Sequence, residues 1–339
     1  MQNSQKIWTS DFQNIINARP DGRVLAVCLH PALDVTVSTK DGMETGRDIT
    51  LGGKAINLAR MLHLLGADVM LIAPDDCQGQ TNALLKGCEF DYTLISTDLS
   101  LRHNYKYVDA DGTTREQNGS AGTISPQHYQ QLIHRVINTC RSACRTTRRS
   151  EKISHVSLCG SFPQGVEKDV YKLLTEQIQA LDIPCSIDAS GQPLSLAVQA
   201  KPLIIKPNLQ EFCATFTKEI SLLKTQKDAC DAIFQAYMDT DVQILCSMDK
   251  RGAIYAGSEG VYLVQAPIVE QVQSFAGAGD TMLASFLYAR ILCHVPIQDA
   301  LRFCCAAATA KVRLPAGTFP TPEQIYTEWT QTTIKKGGT

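Results

Sequence analysis

The sequence predicts an α/β protein: a mainly parallel central sheet covered by helices, with a small β-sheet lid beside it. Three observations carry this prediction. Short, wholly apolar runs recur along the chain, as strands buried on both faces require. Helical segments alternate with those runs, the signature of strand–helix–strand units. Two polar-faced segments, with turns inside them, break the pattern.

Taken in order, "VLAVCL" (24–29), "DVMLIAP" (68–74), "HVSLCGS" (155–161), "PCSIDAS" (184–190), "PLIIKPN" (202–208) and "VQILCSM" (242–248) read as buried strands. Helices are predicted over Ile56–Leu65, Gln127–Cys144, Glu167–Leu181 and Lys227–Met238, and "AIYAGSEGVYLV" (253–264) reads as a hairpin turning at 258–260. The polar-faced segments lie within 34–49 and 101–119 and can pair as the lid. At the N-terminus Ile7, Trp8, Phe12, Ile15 and Ile16 fall at helical spacing, which predicts a short amphipathic helix packed on the body. The resulting organisation is an extension over 1–23, a core over 24–34, 50–100 and 120–330, and a discontinuous lid over 35–49 and 101–119. The basic run "RSACRTTRRSEK" (141–152) reads as a solvated helix end and loop rather than an anion patch.

Composition narrows the function classes. The 339 residues are 44% hydrophobic with a net charge of -2, so no basic field points to nucleic acid. No apolar run approaches the ~20 residues that span a bilayer, which argues against a membrane protein, and the first residues lack a secretory leader. Thirteen cysteines, an odd number without a CxxC pair, fit small core fillers in a reduced, cytoplasmic protein. Cys140 and Cys144 can share a helix face, but no further ligands cluster there, so zinc is not expected.

Two glycine-rich stretches carry the chemistry. In "SFAGAGDTMLASF" (274–286) small residues stand directly before an apolar helix. Free N–H groups and a partial positive charge at a helix start suit a phosphate or an oxyanion. The backbone of Ala276, Gly277, Ala278 and Gly279 allows close approach, and Asp280 can take a proton from an attacking hydroxyl. The competing reading is a capping acid after a tight turn. No Walker A loop or dinucleotide fingerprint occurs, so a phosphate site here belongs to another architecture. In "LGGKAINLAR" (51–60) Gly52 and Gly53 precede a helix whose first turn holds Lys54 and Asn57. In "RHNYK" (102–106) strand alternation puts Arg102, Asn104 and Lys106 on one face and His103 and Tyr105 on the other. Two cations and an amide suit an anionic ligand, Arg being able to grip phosphate through two donors; an edge strand with protective charges is the alternative.

"GGKAIN", "CGSFPQGV", "IDASG", "KPNLQEF" and "AGAGDTMLASF" occur in the order found in the ribokinase-like, PfkB-type sugar kinases, and the resemblance covers 24–320. "HPALDVTV" (30–37), the single "GGK" and "RHNYK" are most similar to the branch holding 1-phosphofructokinase and tagatose-6-phosphate kinase. The resemblance implies a three-layer αβα ribokinase-like fold and transfer of the γ-phosphoryl group of ATP, with Mg²⁺, to a hydroxyl of a hexose phosphate. Fructose 1-phosphate is the leading acceptor. Tagatose 6-phosphate, fructose 6-phosphate, a neutral sugar, or a non-catalytic sugar-phosphate or nucleotide sensor are the alternatives. By matching position it implies that Asp280 is the catalytic base, with Gly277, Ala278 and Gly279 in the anion hole. Asp34, Gly52, Gly53, Lys54, Asn57, Arg102, Asn104 and Lys106 would bind the sugar phosphate. Lys206, Asn208, Ser247, Asp249, Gly252, Ala276, Gly277 and Gly279 would border the nucleotide. Asn208 and Glu211 would organise the metal through water, although the pair also fits a helix capping box. The chain departs from the family pattern at Asp249, where a glycine is expected, at Ala55, and at Phe162 and Gln164. Polar-faced lid strands leave an edge to cover, and the resemblance implies a homodimer formed lid to lid.

Overall fold

The computed structural model describes residues 8–41, 43–109, 114–120, 122–148, 151–216 and 219–337. Ile7 of the N-terminal pattern, Gly42 and residues 110–113 of the lid, and Arg149 and Ser150 of the basic run lie outside the described residues.

In chain order the elements begin with α1 (Ser10–Ile16), β1 (Arg23–Cys28), β2 (Ala32–Lys40), β3 (Met43–Gly52), α2 (Lys54–Leu64), β4 (Asp68–Asp75), α3 (Gln80–Leu85) and β5 (Asp91–Ser96). They continue with β6 (Arg102–Asp109), β7 (Thr114–Asn118), α4 (Pro126–Arg145), β8 (Ile153–Cys159), α5 (Val170–Gln179), β9 (Cys185–Asp188) and α6 (Gln192–Val198). The remainder is β10 (Ile204–Ile205), α7 (Leu209–Thr215), α8 (Gln226–Thr240), β11 (Gln243–Ser247), β12 (Ala253–Gly257), β13 (Gly260–Gln265), α9 (Ala278–Phe286), α10 (Ile297–Val312), α11 (Pro322–Trp329) and β14 (Thr333–Lys336). A π-helical turn over Leu287–Leu292 follows α9. The mainly parallel central sheet and the separate small sheet give the α/β class that the sequence predicts.

The chain divides into two compact units. A middle unit comprises Arg23–Arg60 and Val69–Leu203. Its part of the central sheet runs β9-β8-β1-β4-β5, with β1–β8, β8–β9 and β4–β5 parallel. Strand β1 is buried from Val24 to Cys28, as its unbroken apolar run requires. Helix α4 starts at Ser125, whose side chain accepts the His128 N–H, with Pro126 in the first turn where its missing donor costs nothing. Its Leu132, Val136, Ile137 and Cys140 form the buried stripe. The same unit carries the four-stranded lid, ordered β3-β2-β6-β7, with β2–β3 and β6–β7 antiparallel and β2–β6 parallel. The stacked His103, Tyr105 and Tyr107 rings confirm the alternation read from "RHNYK".

The C-terminal unit comprises Met1–Gly22, Met61–Asp68 and Ile204–Thr339. Its strands run β14-β13-β12-β11-β10; β10–β11 is parallel and the rest antiparallel. The β12–β13 pairing closes at Gly257 opposite Gly260, the predicted hairpin. Leu245, Tyr255, Tyr262 and Val264 pack with Met282 and Phe286 of α9 and Leu301, Cys304 and Cys305 of α10. Burying each large apolar side chain of this cluster contributes about 1.5–3 kcal/mol. Helix α1 buries Phe12 and Ile15, and the Phe12 ring meets Phe303, Tyr326 and Trp329. All thirteen cysteines are free thiols, and burial pushes Cys28 and Cys305 up to about 12. Those two buried thiols are protonated core fillers rather than reactive groups.

Candidate active site

In the C-terminal unit the glycine-rich stretch builds an anion cradle at the start of α9. Gly277 caps the helix in the left-handed region (φ 82°), a conformation glycine adopts without penalty. Asp280 is the third residue of the helix and 6% exposed, in the electropositive first turn. Ser274 Oγ accepts the Ala276 N–H at 3.2 Å, and the Phe275 carbonyl accepts the Ala278 N–H at 3.2 Å. Two of the four amides expected to meet a phosphoryl group thus shape the loop itself, and Gly277 and Gly279 are the remaining candidates. Lys206, one residue past β10 and 4% exposed, reaches the same place: a Cβ on Gly279 would lie 3.0 Å from its Nζ. A buried ammonium group and a helix N-terminus converge there, an arrangement made for negative charge.

Asn208 caps α7. Its Oδ1 accepts the Glu211 N–H at 2.8 Å, while Glu211 Oε2 accepts the Asn208 N–H at 2.9 Å. The capping box is therefore real, and it commits one oxygen of each side chain. Among the described residues no group of three or more His, Cys, Asp or Glu side chains is placed to hold a metal directly. The set fits a magnesium ion that keeps its waters and touches one or two protein oxygens, not an all-protein cage. Ser247 ends β11 beside Asn208, with its N–H on the Pro207 carbonyl at 3.0 Å.

The segment after β11 explains the departure at Asp249. Its φ is 52°, the left-handed region that makes a glycine the usual choice and that Asp tolerates better than most residues. Its carboxylate is exposed. Gly252 cannot vary: at φ 96° an added Cβ would lie 2.0 Å from the Val264 carbonyl oxygen. Burial pushes the Cys246 thiol upward; Lys206 opposes that shift, while Glu211 and Asp249 add to it, which shows these charges gathered at one strand end.

In the middle unit the register of the lid assembles a polar site. Asp34 pairs across to Thr50 on β3 and to Asn104 on β6. Asn104 Nδ2 donates to Asp34 Oδ1 at 2.8 Å. Gly52 leaves room for that carboxylate, since a Cβ there would fall 2.0 Å from Asp34 Oδ2. Gly53, at φ 130°, lets the chain turn into α2, whose first turn holds Lys54 and Asn57. Arg102 is half-buried, and its Nε is without a hydrogen-bond partner among the described residues. Lys106 lies two positions beyond Asn104, opposite Thr36.

Two features modify the expected sugar-phosphate grip. The ammonium group of Lys54 is not a spare charge: it donates to the buried Asp188 at 2.6 Å. Such a pair is costly to break from one side, because the remaining charge stays buried. His30 was not among the expected site residues. It is buried, with Nδ1 3.3 Å from Ser161 Oγ, and burial together with the Arg102 charge lowers its pKa to about 4. His30 is therefore neutral at pH 7 beside a guanidinium group. "HPALD" and "IDASG" hold His30 and Asp188 in plain view, but only the fold brings Ser161 to one and Lys54 to the other.

The glycine-rich helix start with Asp280 and the buried Lys206 lies in one unit, and the polar set around Asp34 and Asn104 lies in the other, both on an α/β frame. The model of the pfkB family carbohydrate kinases matches residues 43–324, and the chain belongs to that family. It is a kinase, a phosphotransferase whose acceptor is a hydroxyl group, and membership implies ATP as the phosphoryl donor. The 1-phosphofructokinase of Borreliella burgdorferi is 27% identical over 304 residues, 85% of this chain and 91% of the relative. That of Rhodobacter capsulatus is 26% identical over 326 residues, covering 92% and 98%. Among solved structures, phosphofructokinase-2 from Escherichia coli in complex with potassium superposes with a TM-score of 0.80 at 22% identity, covering 91% of this chain and 99% of that one. A possible 1-phosphofructokinase from Thermotoga maritima gives 0.77 at 21%, covering 93% and 99%. Among the described residues no helix is long and apolar enough to cross a membrane.

Proposed function

We propose that this kinase phosphorylates a hexose phosphate, with fructose 1-phosphate as the acceptor and fructose 1,6-bisphosphate as the product. One observation carries the reading most: the half-buried Arg102, whose Nε has no partner among the described residues, on the strand whose Asn104 holds Asp34. A neutral sugar has no use for a partly desolvated guanidinium group, whereas a phosphate accepts two parallel hydrogen bonds from it. The relatives named 1-phosphofructokinase point to the same acceptor.

In the proposed reaction Asp34 accepts hydrogen bonds from sugar hydroxyls, with Asn104 fixing its orientation. Asn57, Gly52 and Gly53 line the same subsite, and Arg102 with Lys106 binds the existing phosphate. Lys54 acts as half of the Lys54–Asp188 pair, setting the first turn of α2 rather than supplying net charge. Asp280 removes the proton of the attacking hydroxyl as its oxygen bonds to the γ-phosphorus and the bond to the β,γ-bridging oxygen breaks, releasing ADP. The Gly277 and Gly279 amides and Lys206 stabilise the charge that spreads over the transferring group. Asn208 and Glu211 would hold Mg²⁺ through water, and the ion would supply positive charge to neutralise the phosphates. Ser247, Asp249 and Gly252 border the nucleotide, Asp249 turning its carboxylate to solvent. The protein works as a homodimer joined through the lid segments 35–49 and 101–119.

A coupled ADP-release assay over fructose 1-phosphate, fructose 6-phosphate, tagatose 6-phosphate and unphosphorylated sugars tests this reading. Fructose 1-phosphate should give the highest kcat/KM. Preference for an unphosphorylated sugar would overturn the acceptor assignment, and nucleotide binding without ADP release across the panel would favour a sensor.

A further inference from the structure

We infer that His30 is a positioning residue for the phosphate grip: its neutral ring donates from Nδ1 to Ser161 and accepts at Nε2 from Arg102, so that the terminal fork of Arg102 is aimed at the acceptor's phosphate. The inference rests on reading Arg102 as part of that grip. Three observations within the middle unit bring these groups together. Strand β2 pairs in parallel with β6, with Ala32 opposite Arg102, so the arginine is set beside the turn that carries His30. His30 is 3% exposed, and its Nδ1 lies 3.3 Å from Ser161 Oγ. His30 Nε2 and Arg102 Nε are both buried, and neither has a partner among the described residues. A buried polar atom left unmet is costly, so two such neighbours gain by meeting each other where their chemistry allows.

Here it does. The Nε of an arginine can only donate, whereas a neutral imidazole has one donor and one acceptor nitrogen, and the bond made by one sets the role of the other. With the ring proton on Nε2, two N–H donors would face each other beside a positive charge. With the proton on Nδ1, that nitrogen donates to Ser161 Oγ and the Nε2 lone pair faces the guanidinium group. A second ring proton is excluded at pH 7, because burial and the Arg102 charge hold His30 at about 4. The Arg102 charge also opposes the rise of the Cys28 thiol, which stays protonated and brings no charge of its own to this turn. The donors of a guanidinium group lie in one rigid plane, so fixing Nε fixes the direction of the terminal nitrogens. An arginine held this way has given up its rotamer freedom before the ligand arrives, and binding does not have to order it. A histidine that only fills space would contribute to stability and leave the affinity for a sugar phosphate alone.

Steady-state kinetics with fructose 1-phosphate and ATP on single and double variants separate the two roles. His30→Leu should raise the KM for fructose 1-phosphate by about fivefold or more, while the KM for ATP stays within about twofold. His30→Gln, whose Oε1 can stand in for Nε2, should recover most of the loss. His30→Asn, which reaches no farther than the Nδ1 position, should behave like His30→Leu. In an Arg102→Ala background His30→Leu should cost nothing more, because the group it positions is gone. Additive losses, or a glutamine no better than leucine, overturn the inference. Nitrogen-15 NMR of the histidine-labelled wild-type protein at pH 7 requires no variant: the His30 ring should carry its proton on Nδ1 and none on Nε2. A proton on Nε2 overturns the inference even if every variant fails to fold. An Arg102→Ala protein with an unaltered KM overturns the reading of the grip, and the inference with it, whereas an Arg102→Ala loss that His30→Leu does not share overturns the inference alone.

Discussion

Arg102 shows what one side chain contributes at this site. Its guanidinium group is half-buried, lowers the neighbouring His30, and keeps an Nε that finds no partner among the described residues. Arg102→Ala should therefore raise the KM for a sugar phosphate by about tenfold or more while leaving kcat within a few-fold, since a charge-assisted hydrogen bond is worth roughly 1.5–3 kcal/mol. Steady-state kinetics against fructose 1-phosphate check this; an unchanged KM would remove Arg102 from the phosphate grip. His155 illustrates the opposite case, a titratable group with a cost and no evident task. It is fully buried on β8, neither ring nitrogen has a partner among the described residues, and burial lowers it to about 3. The unfolded chain protonates this histidine near its ordinary pKa of about 6.5, so below that pH the unfolded state binds the extra proton. Stability should fall as pH drops from about 6.5 toward 3, with His30 adding to the slope down to about 4. Urea midpoints at pH 7 and pH 5 should show the loss, and His155→Leu should make it shallower. An identical slope in the variant would contradict the assignment.

At the scale of elements, strand and helix positions were legible because composition and period determine them. The six apolar runs became β1, β4, β8, β9, β10 and β11, and the four helical windows became α2, α4, α5 and α8, with shifts confined to the ends. Less was legible where an element owes its state to its neighbours. Strand β5 is largely half-buried and carries no continuous apolar run, and β14 is a four-residue strand paired among the described residues with β13 alone. The site divides in the same way. Asp34, Asn104, Asp280 and the glycines are recognisable from local pattern. The Lys54–Asp188 pair joins residues 134 apart, and His30–Ser161 joins residues 131 apart, so no spacing rule reveals either. The capping box at Asn208 and Glu211 was predictable because it obeys a four-residue rule. The lid edge carries its own prediction. Strand β3 is exposed from Met43 to Arg47 and beyond, with Met43 69% and Ile49 49% exposed, on an outer strand of the small sheet. Such an edge invites pairing with another chain. Light scattering should give twice the 37.1 kDa chain mass, and Ile49→Asp should shift it toward the monomer. A monomer mass for the unaltered protein at working concentration would contradict the lid-to-lid assembly.

At the scale of the whole molecule, each compact unit carries a coherent half of the chemistry. In the proposed reaction the middle unit supplies the groups for hydroxyls and an existing phosphate, and the C-terminal unit supplies the glycine-rich helix start, the buried Lys206 and Asp280. Family membership makes a kinase of this set, but the roles of the residues rest on Asp280 acting as base beside the cradle. The most direct test is ADP release with Mg²⁺, ATP and fructose 1-phosphate, compared between the wild-type protein and Asp280→Asn. The variant should lose on the order of 10²–10⁴ in kcat while binding nucleotide nearly as well, the range expected when a general base is removed. An Asp280→Asn protein that turns over at the wild-type rate would contradict the account.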